Sequence, residues 1–276
     1  MTTVAARPAA APPLRAKGIS VRYGGVHAVE GIDLEVAAGE LVGLIGPNGA
    51  GKTTFVDAIS GFVSSSGSVE IAGQDVTRLR PHQRARRGLA RTWQSSEVFS
   101  DLNVAENLQI AAYPGSGFAR VRALLQYRPS TELARRVLRE MRLDEISDVA
   151  GDALSQGQRK LVDVARALAL SPRVVCLDEP AAGLDTNETE ELGGTLREVA
   201  SRGVGILLID HDMGLVLSVC DRVVVLEFGR LISSGPPEAV RRDPEVVRAY
   251  LGSAAAEVME ADPARPEDDG TAAAEP

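Results

Sequence analysis

The chain has 276 residues, 44% of them hydrophobic and 25% charged, the balance of a folded domain rather than of a disordered chain. No apolar run approaches the roughly 20 residues of a bilayer span, and the N-terminus has no signal-type apolar stretch, so the chain is expected in the cytosol. The net charge of −8 is uneven: residues 253–276 hold seven acidic residues and one arginine, which leaves the rest close to neutral and without a basic field for nucleic acid.

Residues 1–13 are rich in Ala and Pro and are expected to be disordered. Leu14–Tyr23 and Val26–Val36 alternate in character and predict two antiparallel strands. Leu41–Ile45 is apolar throughout, as are Val174–Leu177, Ile206–Ile209 and Val223–Leu226. Such runs, separated by helical stretches, predict a parallel sheet covered by helices. Between Leu41–Ile45 and a helix-like stretch from Thr53 to Ser60 lies Gly46-Pro47-Asn48-Gly49-Ala50-Gly51-Lys52-Thr53. It fits G-x-x-x-x-G-K-[ST] in the strand–loop–helix context the motif requires. Its glycines let backbone N–H groups wrap phosphates, Lys52 reaches the β- and γ-phosphates as a point charge, and the Thr53 hydroxyl can ligate Mg2+. Only three lysines (Lys17, Lys52 and Lys160) occur among the 30 basic residues, and one falls at this position.

The run from Arg78 to Arg91 holds six arginines. An exposed helix face, a nucleic-acid patch and a contact with anionic headgroups are all open readings, and the absence of interleaved aromatics favours the first. From Ser100 to Ala150 the pattern turns helical, broken at Pro114-Gly115 and Pro129, as an insertion in an α/β core would be. In Leu154-Ser155-Gln156-Gly157-Gln158, Ser155 predicts a helix N-cap. The helix after it carries Leu161, Val164, Ala165, Leu168 and Ala169 on one face, a core stripe. The strand Val174–Leu177 ends in Asp178 and Glu179, with Pro180 stopping it. Asp178 is suited to hold Mg2+, and Glu179 to orient or deprotonate an attacking water. Cys176 and Cys220 sit in apolar contexts and read as small buried hydrophobes. Residues 253–276 are expected to be disordered.

A phosphate-binding loop alone leaves kinases, GTPases and motor ATPases open. Taken together in order, however, the motifs resemble those of the ATP-binding-cassette ATPases over nearly all of Leu14–Gly252. Tyr23 matches the aromatic residue that stacks on adenine, and Gly46–Thr53, with Thr54 beside it, matches the Walker A loop. Gln94, in Arg91-Thr92-Trp93-Gln94, matches the Q-loop glutamine. Leu154–Gln158 matches the LSGGQ signature, with Gln156 in place of its first glycine. Asp178 and Glu179 match the Walker B pair, Ala182-Gly183-Leu184-Asp185 the D-loop, and His211 the H-loop histidine.

The resemblance implies an α/β P-loop fold with a mixed sheet core, an antiparallel β subdomain and a helical insertion at about 95–155, all within one domain over 14–252. It implies ATP and Mg2+ as cofactors, with the metal held by Thr53, Gln94 and Asp178. It assigns catalysis to Glu179, His211 and Gln94. It also implies a head-to-tail pair of cassettes, each ATP lying between one Walker A loop and the partner's Ser155, Gly157 and Gln158, with Asp185 also at the nucleotide.

Within that family, Val21-Arg22-Tyr23-Gly24-Gly25, the Arg91–Gln94 stretch, Asn103–Leu108, Pro180–Leu184, Asp210-His211-Asp212-Met213 and Arg248–Gly252 look like the ATPase subunits of branched-chain amino acid importers. The family usually has Phe where Trp93 stands. That branch implies permease subunits, a second cassette subunit (a paralogue or another copy), an extracytoplasmic binding protein, a place on the cytoplasmic face of the membrane and no nucleic-acid partner. Phe99, Leu102 and Val104 are candidates either for a permease-docking groove or for the core. A lipid or lipopolysaccharide exporter, or another solute transporter, is the alternative; a ribosome- or DNA-acting cassette fits less well, since this chain has one cassette and a short insertion.

Overall fold

The computed structural model describes residues 11–93, 98–112 and 131–250. The two ends expected to be disordered lie outside them, apart from residues 11–13, as do Gln94, the breaks at Pro114-Gly115 and Pro129, and the final Leu251-Gly252. Order is already present at Pro13, whose carbonyl accepts a hydrogen bond from the Ala72 amide at 3.1 Å.

The first two strands span the residues their alternation predicts. β1 (Leu14–Tyr23) and β2 (Val26–Val36) pair antiparallel, Leu14 opposite Val36 and Tyr23 opposite Val26. With β4 (Ser66–Ile71) and β5 (Gln74–Asp75) they form a four-stranded sheet in the order β2-β1-β4-β5. One face of this sheet, including Leu14, Ile19, Ile32 and Ile71, is buried.

β3 (Leu41–Ile45) is buried along its whole length at the centre of a six-stranded sheet, order β10-β9-β3-β8-β7-β6. Its members are β6 (Leu89–Arg91), β7 (Val174–Asp178), β8 (Gly205–Ile209), β9 (Arg222–Glu227) and β10 (Arg230–Gly235). All pairs are parallel except the β9–β10 hairpin. The continuous apolarity of these strands is explained by two cores, one on each face. Val42, Leu44, Val174, Leu207 and Val224 pack into one, together with the antiparallel sheet and helix α1 (Lys52–Ser60). Leu41, Ile45, Val175, Leu208 and Val225 pack into the other, against the remaining helices.

Among those helices are α3 (Val104–Ala111), α4 (Thr131–Glu140), α5 (Gln156–Leu168), α6 (Thr186–Ser201) and α7 (Met213–Val219). α2 (Pro81–Ala85) lies earlier, before β6. Ser155 caps α5 as expected. Val104, a candidate for a docking groove, is fully buried in the core, whereas Phe99 is exposed and lies 4.8 Å from the Arg166 guanidinium. Asn107 is fully buried, and its amide fastens the segment before α3: Nδ2 donates to the carbonyls of Phe99, Leu102 and Asn103, and Oδ1 accepts from the Phe99 amide.

The arginine run is only partly an exposed face. Arg78, Arg80, Arg86 and Arg87 are exposed, but Arg84 is buried and donates to the carbonyls of Ala58, Ile59, Thr77 and Leu79. Its guanidinium closes the C-terminal end of α1, where helix carbonyls lack partners. Cys176 and Cys220 are buried and unpaired in disulfides, as read from the sequence. Burial pushes both thiols up to about 12, so the reactive thiolate is absent at neutral pH. Neither cysteine is expected to react with iodoacetamide in the folded protein even at mildly alkaline pH, and both are expected to react in concentrated guanidinium. Mass spectrometry of alkylated peptides reads this directly; rapid native labelling at Cys176 would contradict its place in the sheet.

Candidate functional site

Parallel strands bring their carboxyl ends to one rim, the usual place for ligands in open α/β sheets. Here β3 leads into the glycine loop, β7 into Asp178 and Glu179, and β8 into Asp210 and His211. The loop's first residue must be glycine: Gly46 has φ 147°, and a Cβ there would stand 2.1 Å from the Leu226 carbonyl oxygen. Lys52 Nζ donates to the carbonyls of Gly46 (2.6 Å) and Pro47 (2.9 Å), so the loop curls around its own ammonium. Burial lowers the pKa of Lys52, opposed by the carboxylates of Glu179 and Asp178. α1 starts directly behind the loop with no side-chain cap and no acid in its first turn. Its N-terminal amides therefore face the loop without a competing acceptor, the arrangement a phosphate chain needs. Pro47, Asn48, Gly49, Ala50, Thr53 and Thr54 complete this segment, with Thr53 exposed.

Tyr23 lies at the tip of the β1–β2 hairpin and is 53% exposed, as a residue offering its ring to a ligand must be. Two steps back along the same hairpin, Ala28 and Val29 press on the loop. A Cβ on Gly51 would stand 2.5 Å from the Ala28 oxygen.

Asp178 is buried, and its amide is held by the Thr92 hydroxyl at 3.0 Å. Arg91 lies 3.5 Å from its carboxylate and 2.5 Å from that of Asp57 on α1. The Arg91 guanidinium also sits 4.3 Å from the Trp93 ring centre and 5.9 Å from that of Phe62. Burial raises the pKa of Asp178, and Arg91 opposes the shift, as does Lys160 from α5. Two of the three lysines in the chain thus act on Asp178.

Glu179 has φ 49°, a left-handed conformation costing a non-glycine residue about 1–3 kcal/mol. Its amide donates to Ile209 of β8 at 2.7 Å, which holds the turn in place. His211 Nδ1 lies 3.9 Å from the Glu179 carboxylate and 3.7 Å from Asp210. Asp210 is buried and accepts from the amides of Asp212 (3.0 Å) and Ala181 (3.4 Å), fixing the start of the histidine loop against the turn after Glu179.

The signature residues form a second group. The Ser155 hydroxyl accepts from the Gln158 amide at 3.1 Å, and the Gln158 side chain accepts from the Ser155 amide at 3.0 Å. Gly157 is packed against the D-loop: a Cβ there would stand 2.8 Å from Leu184 and 3.1 Å from the Gly183 oxygen. The Gln156 side chain lies over Gly183, where a Cβ would meet it at 3.3 Å, so this departure from glycine fills a contact between the two motifs. Asp185 caps α6 through the Glu188 amide at 2.8 Å.

The structure thus gathers Gly46–Thr54, Asp178, Glu179 and His211 at one rim and packs Ser155–Gln158 against the D-loop. Gln94 lies outside the described residues. Arg91, Thr92, Asp57, Lys160 and Asp210 support the acidic end of the site, a role the sequence did not assign to them. Arg91, Thr92 and Asp210 stand inside motif stretches named from the sequence, but nothing local shows what their side chains hold.

Residues 29–182 match the ABC transporter family, and residues 230–256 match the branched-chain amino acid ATP-binding cassette transporter family. The chain is 36% identical over 252 residues to the high-affinity branched-chain amino acid transport ATP-binding protein BraF of Pseudomonas aeruginosa, covering 88% of this chain and 99% of BraF. LivG of Escherichia coli, with the same descriptive name, gives the same identity and coverage. The lipopolysaccharide export system ATP-binding protein LptB of Haemophilus influenzae is 36% identical over 87% of this chain and 97% of its own length. Among solved structures, the ADP conformation of MJ1267, an ATP-binding cassette of an ABC transporter, aligns with a TM-score of 0.75 at 30% identity, covering 87% of this chain and 98% of that one.

Proposed function

We propose that this chain, which belongs to the ABC transporter family of ATP-binding cassettes, is the ATP-hydrolysing subunit of a membrane importer for branched-chain or related amino acids. The observation that carries the choice of importer is the C-terminal match at 230–256, which adds a branch-specific segment to the general cassette match at 29–182. The cassette spans 14–252, with a helical part at about 95–155 and flanking segments at 1–13 and 253–276.

Each bound ATP lies with its phosphates in the Gly46–Thr54 loop, its adenine on Tyr23 and its γ-phosphate facing Ser155, Gly157 and Gln158 of a second cassette, with Asp185 nearby. Lys52 holds the β- and γ-phosphates by charge. Glu179 accepts a proton from the attacking water as the water oxygen bonds to the γ-phosphorus and the bond to the ADP oxygen breaks. His211 keeps the water and Glu179 in line, and Gln94 senses the γ-phosphate. Thr53, Asp178 and Gln94 are oxygen donors suited to Mg2+, which supplies charge neutralisation on the phosphate oxygens when bound there. ATP closes the pair of cassettes and hydrolysis reopens it.

No helix among the described residues is long and apolar enough to cross a membrane. In this reading the subunit sits on the cytoplasmic face, held by permease subunits, with no nucleic-acid partner. The permease and an extracytoplasmic binding protein choose the cargo. Lipopolysaccharide export is the second reading, favoured by the equal identity to LptB. Affinity purification from the native cells in mild detergent separates the two. The expected result is recovery of two multi-span permeases and a second cassette subunit. Recovery of lipid-export membrane subunits would replace the importer reading, and recovery of ribosomal or DNA-repair proteins without membrane partners would overturn transport altogether.

A further inference from the structure

Of the six arginines between Arg78 and Arg91, Arg84 closes α1 and Arg91 serves Asp178. Arg86 and Arg87 do neither. They follow α2 and, with Arg173 directly before β7, surround a pocket of about 260 Å³. Ile71, Ala72 and Gln74, where β4 turns into β5, complete its lining. Sites for drug-sized ligands start at roughly 300 Å³, so this one suits a small ion or a single headgroup.

The backbone brings these side chains together. Gly88, next after Arg87, has φ 105°, and a Cβ there would stand 2.9 Å from Arg173 Cγ and 3.1 Å from Arg173 Cβ. Glycine thus lets the stem of Arg173 lie over the turn that carries Arg86 and Arg87. The Gly88 carbonyl accepts from the amides of Arg173 (2.9 Å) and Val174 (3.1 Å), which locks the two segments in register. Arg87 donates to Gln74 Oε1, which ties its guanidinium to β5. The lining holds no acid, and among the described residues no carboxylate pairs with any of the three arginines. Three like charges around one concavity repel one another and focus a positive potential there. The pocket lies at the amino ends of β6 and β7, whereas Asp178 and the glycine loop lie at the carboxyl ends of their strands, so it is separate from the nucleotide rim.

We propose that Arg86, Arg87 and Arg173 form a second anion site that takes a phosphate group. Guanidinium forks match phosphate oxygens in pairs, and a phosphate monoester carries close to two negative charges, so it compensates three arginines better than one carboxylate does. Such a group reaches the pocket either on a soluble molecule or on a lipid headgroup.

The test is calorimetric titration of sodium pyrophosphate into the full chain carrying Lys52→Ala, which removes the cation of the glycine loop and leaves the arginine pocket as it is. Binding is expected to remain in this background. Adding Arg86→Ala or Arg173→Ala should weaken it by about ten- to a hundredfold, the effect of losing a hydrogen bond to a charged group. Arg78→Ala, which removes an exposed arginine outside the pocket, should change it by less than about twofold at physiological salt. All three arginines are exposed, so the melting temperatures of these variants should match that of the Lys52→Ala chain. A second arm sediments the unsubstituted chain and its Arg173→Ala variant with phosphatidylcholine vesicles, with and without phosphatidylglycerol. Arg173-dependent binding of pyrophosphate without vesicle binding assigns a soluble ligand, and Arg173-dependent sedimentation with the anionic vesicles assigns a headgroup. Absence of Arg173-dependent binding in both arms would overturn the site. Equal losses in Arg78→Ala and Arg173→Ala would overturn it too, leaving only general attraction between an anion and a basic surface.

Discussion

Replacing Glu179 with glutamine is expected to lower ATP hydrolysis by about two to four orders of magnitude while leaving nucleotide binding intact, because a general base contributes an effect of that size. The substitution keeps the shape of the side chain. It also keeps the left-handed turn at φ 49°, since that turn is held by the backbone bond from the Glu179 amide to Ile209. What disappears is the carboxylate that takes the proton from water. Lys52, the glycine loop and the uncapped start of α1 are untouched, so ATP still binds. ATP that binds without being cleaved should hold the two cassettes together. The assembled transporter should therefore show almost no phosphate release, and the isolated chain should elute as a dimer with ATP and as a monomer with ADP. A hydrolysis rate near that of the wild type in the assembled complex would remove Glu179 from the role of base. Attention would then shift to His211, whose ring lies 3.9 Å from that carboxylate.

The parts of the fold that could be read in advance are those whose signal is local. β1, β2 and β3 fall at Leu14–Tyr23, Val26–Val36 and Leu41–Ile45, because alternation and continuous apolarity are properties of the segment itself. β4, Ser66–Ile71, carries Ser and Gly and gains its strand character from pairing with β1, so nothing within it announces a strand. Arg84 shows the same limit on the helical side. In sequence it is one arginine among six, and only the fold brings the carbonyls of Ala58 and Ile59 to its guanidinium. At the site, the glycine loop and the Asp178-Glu179 pair are legible because their chemistry is carried by contiguous residues. The contacts that hold those residues in place join distant parts of the chain: Thr92 to Asp178, and Asp210 to Ala181. No pattern within a window of the sequence encodes them.

Arg91→Ala is expected to destabilise the folded chain by about 3 kcal/mol, since removing one partner of a buried charge cluster leaves the others uncompensated. The Arg91 side chain is 6% exposed and bridges two carboxylates, those of Asp57 and Asp178, the latter 5% exposed. Without it, Asp178 keeps the charges of Lys160 and Lys52 against the cost of its own burial. For a chain of this length such a loss lowers the melting temperature by about 6–12 °C. Arg91→Lys should fall between the two, because a single ammonium cannot present the planar fork that reaches Asp57 and Asp178 together or stack as well on Trp93. The site would suffer along with the fold. β6 ends at Arg91, Thr92 holds the Asp178 amide, and Gln94 follows two residues later, so a loosened Arg91 frees both the acidic end of the site and the chain leading to Gln94. The decisive measurement is a double-mutant cycle of Arg91→Ala with Asp57→Ala, read by chemical denaturation. Residues in one ion-pair network couple by about 0.5–3 kcal/mol, so the double variant should be less destabilised than the sum of the singles. Strictly additive effects, or a melting temperature for Arg91→Ala within about 2 °C of the wild type, would show that Arg91 is packed beside the two carboxylates without holding them.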